Sequence, residues 1–308
     1  MSSSLRKSEL FGSTARRIVL AAFGEGAEYE IHEVAYGRNS TRAEILVTAN
    51  RQSRVFLKVT DPHAAQGHMP QDAVWLASTA QNNQVNFRRV APRFVNAPLP
   101  LWFDDSMGAL LMAHSEGQSL KTTLAHRRPV FAPKVPNLVS LAGRALSAWH
   151  SLSKTKGAPP GQVMSFTDYA VGNILLQPDH ESITVVDFPG LIQHASPYHD
   201  LASFLHSVLV VRHDPLSTLA GGLWWDWRDI WLDFAHGYSS DAGADLRRED
   251  LETIRSELSK IVGREVENYR RLMAVPRMAI ERPWYSLIRY HPALRPGTLA
   301  SLIGKRGF

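Results

Sequence analysis

The spacing of apolar positions changes along the chain, and the change divides it in two. Residues 31–60 are rich in β-branched and aromatic residues and predict strands. A helix near 70–80 and strands near 93–113 complete this part, preceded by a polar leader and a short helix within residues 1–30. From residue 137 the spacing is helical. Residues 137–152 carry Leu138, Leu141, Ala145, Leu146 and Trp149 along one face, and 247–273 carry Leu251, Ile254, Leu258, Ile261 and Val262. Two further helices are predicted, 201–211 opened by Asp200, and 223–234 with Trp224, Trp227, Trp231 and Phe234 on one side. That aromatic stripe reads first as core and second as a wall for a ligand. Pro129, Pro133 and Pro136, then Ala158-Pro159-Pro160-Gly161, punctuate the helical part. The exception to it is a pair of short apolar runs, 174–176 and 183–186, joined through Gln177-Pro178-Asp179-His180-Glu181 as a hairpin. The fold class is α+β, with a small β-rich lobe over 1–114, of which 1–30 is a leader, and a larger, mostly helical lobe over 115–308.

Groups that carry chemistry flank the hairpin. Asp168 and Asn173 stand five residues apart in Phe166-Thr167-Asp168-Tyr169-Ala170-Val171-Gly172-Asn173, and Val185-Val186-Asp187-Phe188 ends the second strand. A carboxylate that orients a hydroxyl, an amide oxygen that ligates a metal and a second carboxylate at a strand end are the parts of a phosphoryl-transfer site. Mg²⁺ takes oxygen ligands in an octahedral shell and keeps several waters, so one Asn and one Asp suffice beside nucleotide phosphates. A surface hairpin with solvated acids would show the same spacing; the downstream strand-ending Asp-Phe favours the metal site.

On these residues the sequence resembles the aminoglycoside phosphotransferase and choline kinase-like branch of the protein-kinase fold. That family shows H-G-D-x-x-x-x-N-[IV]-[LI], then [IV]-D-[FW], then D-P-x-x-D-L-A. Here the matching stretches are Asp168 to Leu175, Val186-Asp187-Phe188 and Ser196-Pro197-Tyr198-His199-Asp200-Leu201-Ala202, while Arg144-Ala145-Leu146-Ser147-Ala148-Trp149-His150 is similar to the family's A-L-x-x-L-H. The resemblance implies a bilobal protein-kinase-like fold using ATP and Mg²⁺, with Asp168 as base, Asn173 and Asp187 as metal ligands, and Asp200 supporting the catalytic loop. In the first lobe it implies a nucleotide loop containing Gly37, Asn39, Ser40 and Thr41. It also implies that Lys58 contacts the α and β phosphates, held by a carboxylate of the next helix. Asp72 is the candidate for that carboxylate, and the same residue fits a plain helix N-cap. Ala109 to Leu120 is similar to the family's apolar strand, hinge and E-G-x-x-L, which puts adenine at Met112 to His114. Two departures stand out. Phe166-Thr167 replaces the family's His-Gly, so bracing of the loop would pass from a hydrogen bond to packing, and Pro189 follows Asp187-Phe188 and removes a backbone donor.

Composition narrows the alternatives. With 308 residues, 44% of them hydrophobic and 20% charged, the chain can bury a substantial core. The absence of cysteine excludes disulfides and Cys-ligated zinc, and no H-E-x-x-H, Walker loop, G-x-G-x-x-G or G-x-S-x-G occurs. No apolar run approaches the roughly 20 residues of a membrane helix, and the expected location is cytoplasmic. Residues 264–308 hold nine Lys or Arg against three Glu, interleaved with Tyr269, Trp284, Tyr285 and Tyr290. This suits an anionic or lipid-linked acceptor, or peripheral contact with the inner face of a membrane, and equally a basic surface whose aromatics pack inward. No nucleic-acid-reading module is present. The expected activity is transfer of the ATP γ-phosphate to a hydroxyl of a small-molecule acceptor: a sugar, amino alcohol or related metabolite. A lipid or glycolipid kinase and a nucleotide-binding pseudokinase are the alternatives.

Overall fold

The computed structural model describes residues 3–36, 40–48, 52–60, 75–126, 128–152, 157–214, 224–242, 246–273 and 288–306. It begins with helix α1 (Ser3–Phe23), strands β1 (Glu28–Tyr36), β2 (Ser40–Thr48) and β3 (Gln52–Thr60), and helix α2 (Ala77–Val90). Strands β4 (Val95–Asn96), β5 (Pro100–Asp104), β6 (Ala109–Ala113) and β7 (Gln118–Ser119) lead to helices α3 (Leu120–Ala125) and α4 (Val135–Ser151). Strands β8 (Val163–Met164), β9 (Ile174–Leu176), β10 (Ile183–Val185) and β11 (His194–Ala195) follow. Helices α5 (Pro197–His213), α6 (Trp227–Ala242), α7 (Arg248–Met273) and α8 (Thr298–Arg306) end the chain. It divides into two compact units. The first comprises Met1–Arg89, Ala97–Ser115 and Phe188–Ile192; the second comprises Val90–Asn96, Glu116–Asp187 and Gln193–Phe308.

In the first unit an antiparallel sheet of order β1-β2-β3-β6-β5 sorts its side chains by parity. Ala43, Ile45 and Val47 of β2, Val55 and Leu57 of β3, and Ala109 and Leu111 of β6 are buried in one core with Phe11, Ala15, Ile18 and Val19 of α1. The α1 residues recur at the spacing of one helical face. Within residues 1–30, α1 covers one face of the sheet. The opposite parity, Leu110 and Met112 with the partly buried Phe56, packs against Trp75, Ala77 and Ala80. Lys58 shares the parity of Phe56 and faces Leu110 across the ladder, so the strand itself turns this lysine toward the α2 side. The helix expected near 70–80 is seen from Ala77 onward. Asp72 lies outside the described residues, as do Gly37 and Asn39.

The second unit is mainly helical. A sheet of order β4-β10-β9-β7 includes the expected hairpin, with Ile183, Thr184 and Val185 opposite Leu176, Leu175 and Ile174. Its turn is tied by Asp179, which accepts the Glu181 and Ser182 N–H groups at 2.9 and 3.0 Å. The Glu181 bond leads in holding this carboxyl below its ordinary pKa. Helix α5 starts at Pro197, where the Ser196 hydroxyl accepts the Tyr198 N–H; Asp200 therefore sits inside the first turn and not at the cap. Helix α6 begins at Trp227, with Trp224 ahead of it. The stripe on α6 is core: Trp231 and Phe234 are fully buried, and Phe234 stacks on Phe204 at 3.7 Å. Leu251, Ile254, Leu258, Ile261 and Val262 of α7 are buried as the spacing predicted. Among the described residues, no helix is long and apolar enough to cross a membrane. Of the aromatics expected in the basic C-terminal stretch, Tyr290 is 76% exposed, whereas Trp284 and Tyr285 lie outside the described residues.

Helices α4 and α6 meet backbone to backbone through two glycines. A Cβ on Gly143 would collide with the Phe234 carbonyl oxygen, and one on Gly237 with the Ser140 carbonyl oxygen. Neither obstacle is a flexible side-chain end, so the helices would have to separate. Gly237→Ala is expected to destabilise the protein by about 1–3 kcal/mol, measured as a lowered thermal or urea midpoint; an unchanged midpoint would contradict this packing.

Candidate active site

A buried carboxylate organises the catalytic-loop sequence in the second unit. Asp200 has no exposed surface. Its Oδ2 accepts the Phe166 N–H at 2.8 Å and a bond from His150 Nε2 at 2.9 Å. Its Oδ1 accepts the Ser165 hydroxyl at 2.8 Å and the Thr167 N–H at 3.2 Å. A buried charge needs such donors, and here most of them come from one loop segment, so satisfying the carboxylate also shapes the loop. His150, at the end of α4, places its other ring nitrogen 3.0 Å from the Tyr238 hydroxyl of α6. Burial, followed by the Asp200 charge, raises the pKa of both Tyr238 and Tyr169, which keeps their hydroxyls protonated. Tyr169 donates to the Ala142 carbonyl at 2.7 Å.

Phe166 occupies the place of the family's histidine. It is 1% exposed, with its ring 5.3 Å from Trp149 and 5.1 Å from Tyr169, both edge-on. Packing therefore does hold this position, while His150 and the backbone supply the polar bracing. At Thr167 the backbone is left-handed, with φ 67°, a geometry that glycine adopts freely. The turn is closed by the Asp168 N–H on the Phe166 carbonyl at 2.9 Å. A β-branched residue at such an angle is strained.

Three of the expected site residues come together at the end of the hairpin. Asn173 donates its side-chain N–H to the Asp168 carbonyl at 2.8 Å, which turns its amide oxygen away from that bond. The Asn173 carbonyl accepts the Val186 N–H at 2.9 Å, and this fixes the residue immediately before Asp187. Asp187 has φ 64°, a second left-handed position on a non-glycine residue. Asp168, Asn173 and Asp187 carry hard oxygen donors of the kind that Mg²⁺ takes. Gly117 of the Glu116-Gly117 motif has φ 118°, and a Cβ there would stand 2.5 Å from the Leu176 carbonyl oxygen of β9. Only glycine permits that approach.

The first unit holds the remaining expected residues separately. Lys58 is 7% exposed, and its Nζ lies 5.2 Å from the centre of the Trp75 ring. Ser40 and Thr41 open β2, opposite Thr60 and Val59. Met112 is buried in β6 and receives the Gln84 side-chain N–H at its sulfur. The N–H groups of Ala113 and His114 are already used, on the carbonyls of Leu99 at 2.8 Å and Arg54 at 3.1 Å. The His114 ring lies 3.6 Å from Glu44. The segment therefore differs from a strand end with open amides, because β3 and residue 99 take up the donors a purine would use. Sequence reasoning missed Ser165, Tyr238 and the Trp75 ring. None has a local signature, since each matters only through a partner distant in sequence.

Comparison with solved structures finds this fold in a choline/ethanolamine kinase family protein from Mesorhizobium loti, at 11% identity and a TM-score of 0.53 over 95% of this chain and 94% of that one. A candidate aminoglycoside phosphotransferase from Ralstonia eutropha gives 11% identity and 0.53 over 94% and 97%. No protein-family model matches the chain, and no curated protein does. The likeness is one of fold, and the fold is the kinase-like α+β architecture expected from the motifs.

Thr167→Gly is expected to release the strain at φ 67°, raising stability by up to about 1 kcal/mol once the greater freedom of glycine in the unfolded chain is counted. A thermal midpoint lowered by the substitution would show that the left-handed position carries no strain.

Proposed function

We propose that this chain is an ATP-dependent phosphotransferase that moves the γ-phosphoryl group to a hydroxyl of a small molecule, in the class of sugars, amino alcohols and related metabolites. The observation that carries this reading is the coupling of Asp168, Asn173 and Asp187 through the Asn173 side chain on the Asp168 carbonyl and the Val186 N–H on the Asn173 carbonyl. The fold shared with kinase-family structures supports it.

Asn173 and Asp187 would hold Mg²⁺, and Lys58 with Ser40 and Thr41 would meet the nucleotide phosphates. When bound, the metal neutralises charge on the phosphates. Asp168 orients the acceptor hydroxyl and accepts its proton late, in step with formation of the new O–P bond and departure of ADP. Asp200 holds Phe166 and Thr167 from behind and so limits the directions in which Asp168 can point. Positioning and charge stabilisation supply most of the rate in this chemistry, and a rigid loop serves that requirement.

Incubation with γ-labelled ATP and a panel of hydroxyl-bearing metabolites tests the reading. Asp168→Asn is expected to lower transfer about 10²–10⁴-fold while magnesium-nucleotide affinity stays within about two-fold; normal turnover by the variant would remove Asp168 as base. Asp187→Ala is expected to abolish the Mg²⁺-dependent part of nucleotide binding in calorimetry. If binding were unchanged, Asp187 would not be a metal ligand.

A further inference from the structure

Between Glu116 and Asp168 the sequence contains no acid. Residues 117–167 hold seven Lys or Arg (121, 127, 128, 134, 144, 154, 156) and no Asp or Glu, so the stretch that leads to the candidate base is uniformly cationic. Lys134 is engaged by Glu181 at 3.3 Å, and Arg144 also has a partner. Lys121 is placed differently, at the catalytic loop itself.

Lys121 lies on α3, which is anchored by its other residues. Leu120, Thr123 and Leu124 are buried, the Ser119 hydroxyl accepts the Thr122 N–H at 3.1 Å, and the Leu124 carbonyl accepts the Trp225 indole N–H at 2.7 Å. Lys121 is left exposed, and its stem passes over Gly172: a Cβ built there would meet Lys121 Cδ at 4.0 Å and, among the described residues, no other atom as close. Gly172 belongs to the turn Val171–Asn173, fixed by the Val171 N–H on the Ser207 hydroxyl at 3.0 Å and the Asn173 N–H on the Ala170 carbonyl at 2.9 Å. Its φ is not left-handed, so neither conformation nor crowding demands glycine there. The missing side chain leaves the lysine a path across the residue before Asn173, whose amide holds the Asp168 carbonyl. Among the described residues Lys121 meets no carboxylate. The acid closest in sequence, Glu116, stands at the far end of β9, where its carbonyl accepts the Gln177 side-chain N–H at 2.7 Å.

A cationic acceptor would need the opposite lining, free carboxylates or an open aromatic face. The candidates for that lining are taken. Asp226 accepts the Arg228 N–H at 2.9 Å and pairs with its guanidinium at 3.4 Å, and Asp229 and Asp233 have partners of their own. Trp227, Trp231 and Phe234 are buried in the core.

We propose that Lys121 is a specificity-determining residue of the acceptor site, and that the acceptor carries an anionic group, phosphate or carboxylate, besides the hydroxyl that is phosphorylated. An ammonium on a flexible stem meets such a group as a point charge, so it accepts either. The chemistry is unchanged: the hydroxyl proton passes to Asp168 as the new O–P bond forms and ADP leaves. That the anion belongs to an acceptor rests on the phosphotransferase reading; the placement of an unpaired cation over Gly172 does not.

Two sets of compounds, each sharing a scaffold and differing in charge, test this on the full chain at constant ionic strength. One is glucose, glucosamine, glucuronate and glucose 1-phosphate; the other is glycerol, glycerate and glycerol 3-phosphate. Amine labelling with trinitrobenzenesulfonate, read by peptide mass spectrometry with and without magnesium-ADP, reports the occupancy of Lys121. At saturation the anionic members of at least one set are expected to lower its labelling about three-fold or more, while the neutral and amino members leave it unchanged. Equal labelling throughout would overturn the proposal, and so would protection by magnesium-ADP alone, which assigns the lysine to the nucleotide. Transfer from γ-labelled ATP is followed with the same sets, the phosphate and carboxylate arms telling the two anions apart. The preference for anionic over neutral members, as a ratio of kcat/KM, is expected to fall about 10–100-fold in Lys121→Glu through the acceptor KM, and to stay within about three-fold in Lys121→Arg. An unchanged ratio in Lys121→Glu would overturn the proposal. Selective protection in a parent that neither binds magnesium-ATP nor transfers phosphate would keep the anion site and overturn the phosphotransferase reading instead.

Discussion

A carboxylate removed from water has to be met by donors, and the arrangement around Asp200 follows from that need. Its two oxygens accept bonds from the backbone of Phe166 and Thr167, the Ser165 hydroxyl and the His150 ring. Hydrogen bonds to a charged group contribute about 1.5–3 kcal/mol each, while a buried charge without them would cost several times as much. The loop that leads to Asp168 is thus shaped by electrostatic necessity, with strain at Thr167 carried by the bonds around it. The Tyr238 hydroxyl at the far side of His150 extends this bracing to α6, the helix that Gly143 and Gly237 bring against α4.

The first unit depends on a simpler constraint, the parity of a β-strand. Val55 and Leu57 enter the core beneath α1, so Phe56 and Lys58 face α2. A lysine on that face is buried beside Trp75, and the ring that receives it also leaves room for no side chain at position 190. Helix α2 then needs polar residues that can hold a backbone carbonyl, which Asn83 supplies.

Much of the fold was legible in the sequence because its signals are local. The hairpin of β9 and β10, the helices α4 and α7, and the β-rich first part follow from apolar spacing and turn residues, and the motif order pointed to the kinase-like architecture that the solved structures share. The errors were at positions where tertiary contact decides. Helix α2 starts at Ala77, where the Ser78 N–H and hydroxyl both bond the Asp105 carboxylate across the unit, and nothing near Asp72 announces that cap. The apolar stripe of α1 has no partner within residues 1–30; the sheet supplies one.

The sequence by itself determined the parts of the candidate site: Asp168, Asn173 and Asp187 carry their spacing along one loop and hairpin, and local chain geometry brings spacings of that length together. Tertiary structure alone decided how those parts are held. Phe166 braces the loop only because Trp149 and Tyr169 flank it, and Asp200 supports it only because the backbone of residues 166 and 167 turns inward. Lys58 meets an indole only because strand parity carries it to the side where Trp75 lies. Each of these depends on residues brought together from distant parts of the chain, and a one-dimensional pattern holds no record of a contact until burial and hydrogen bonding select it.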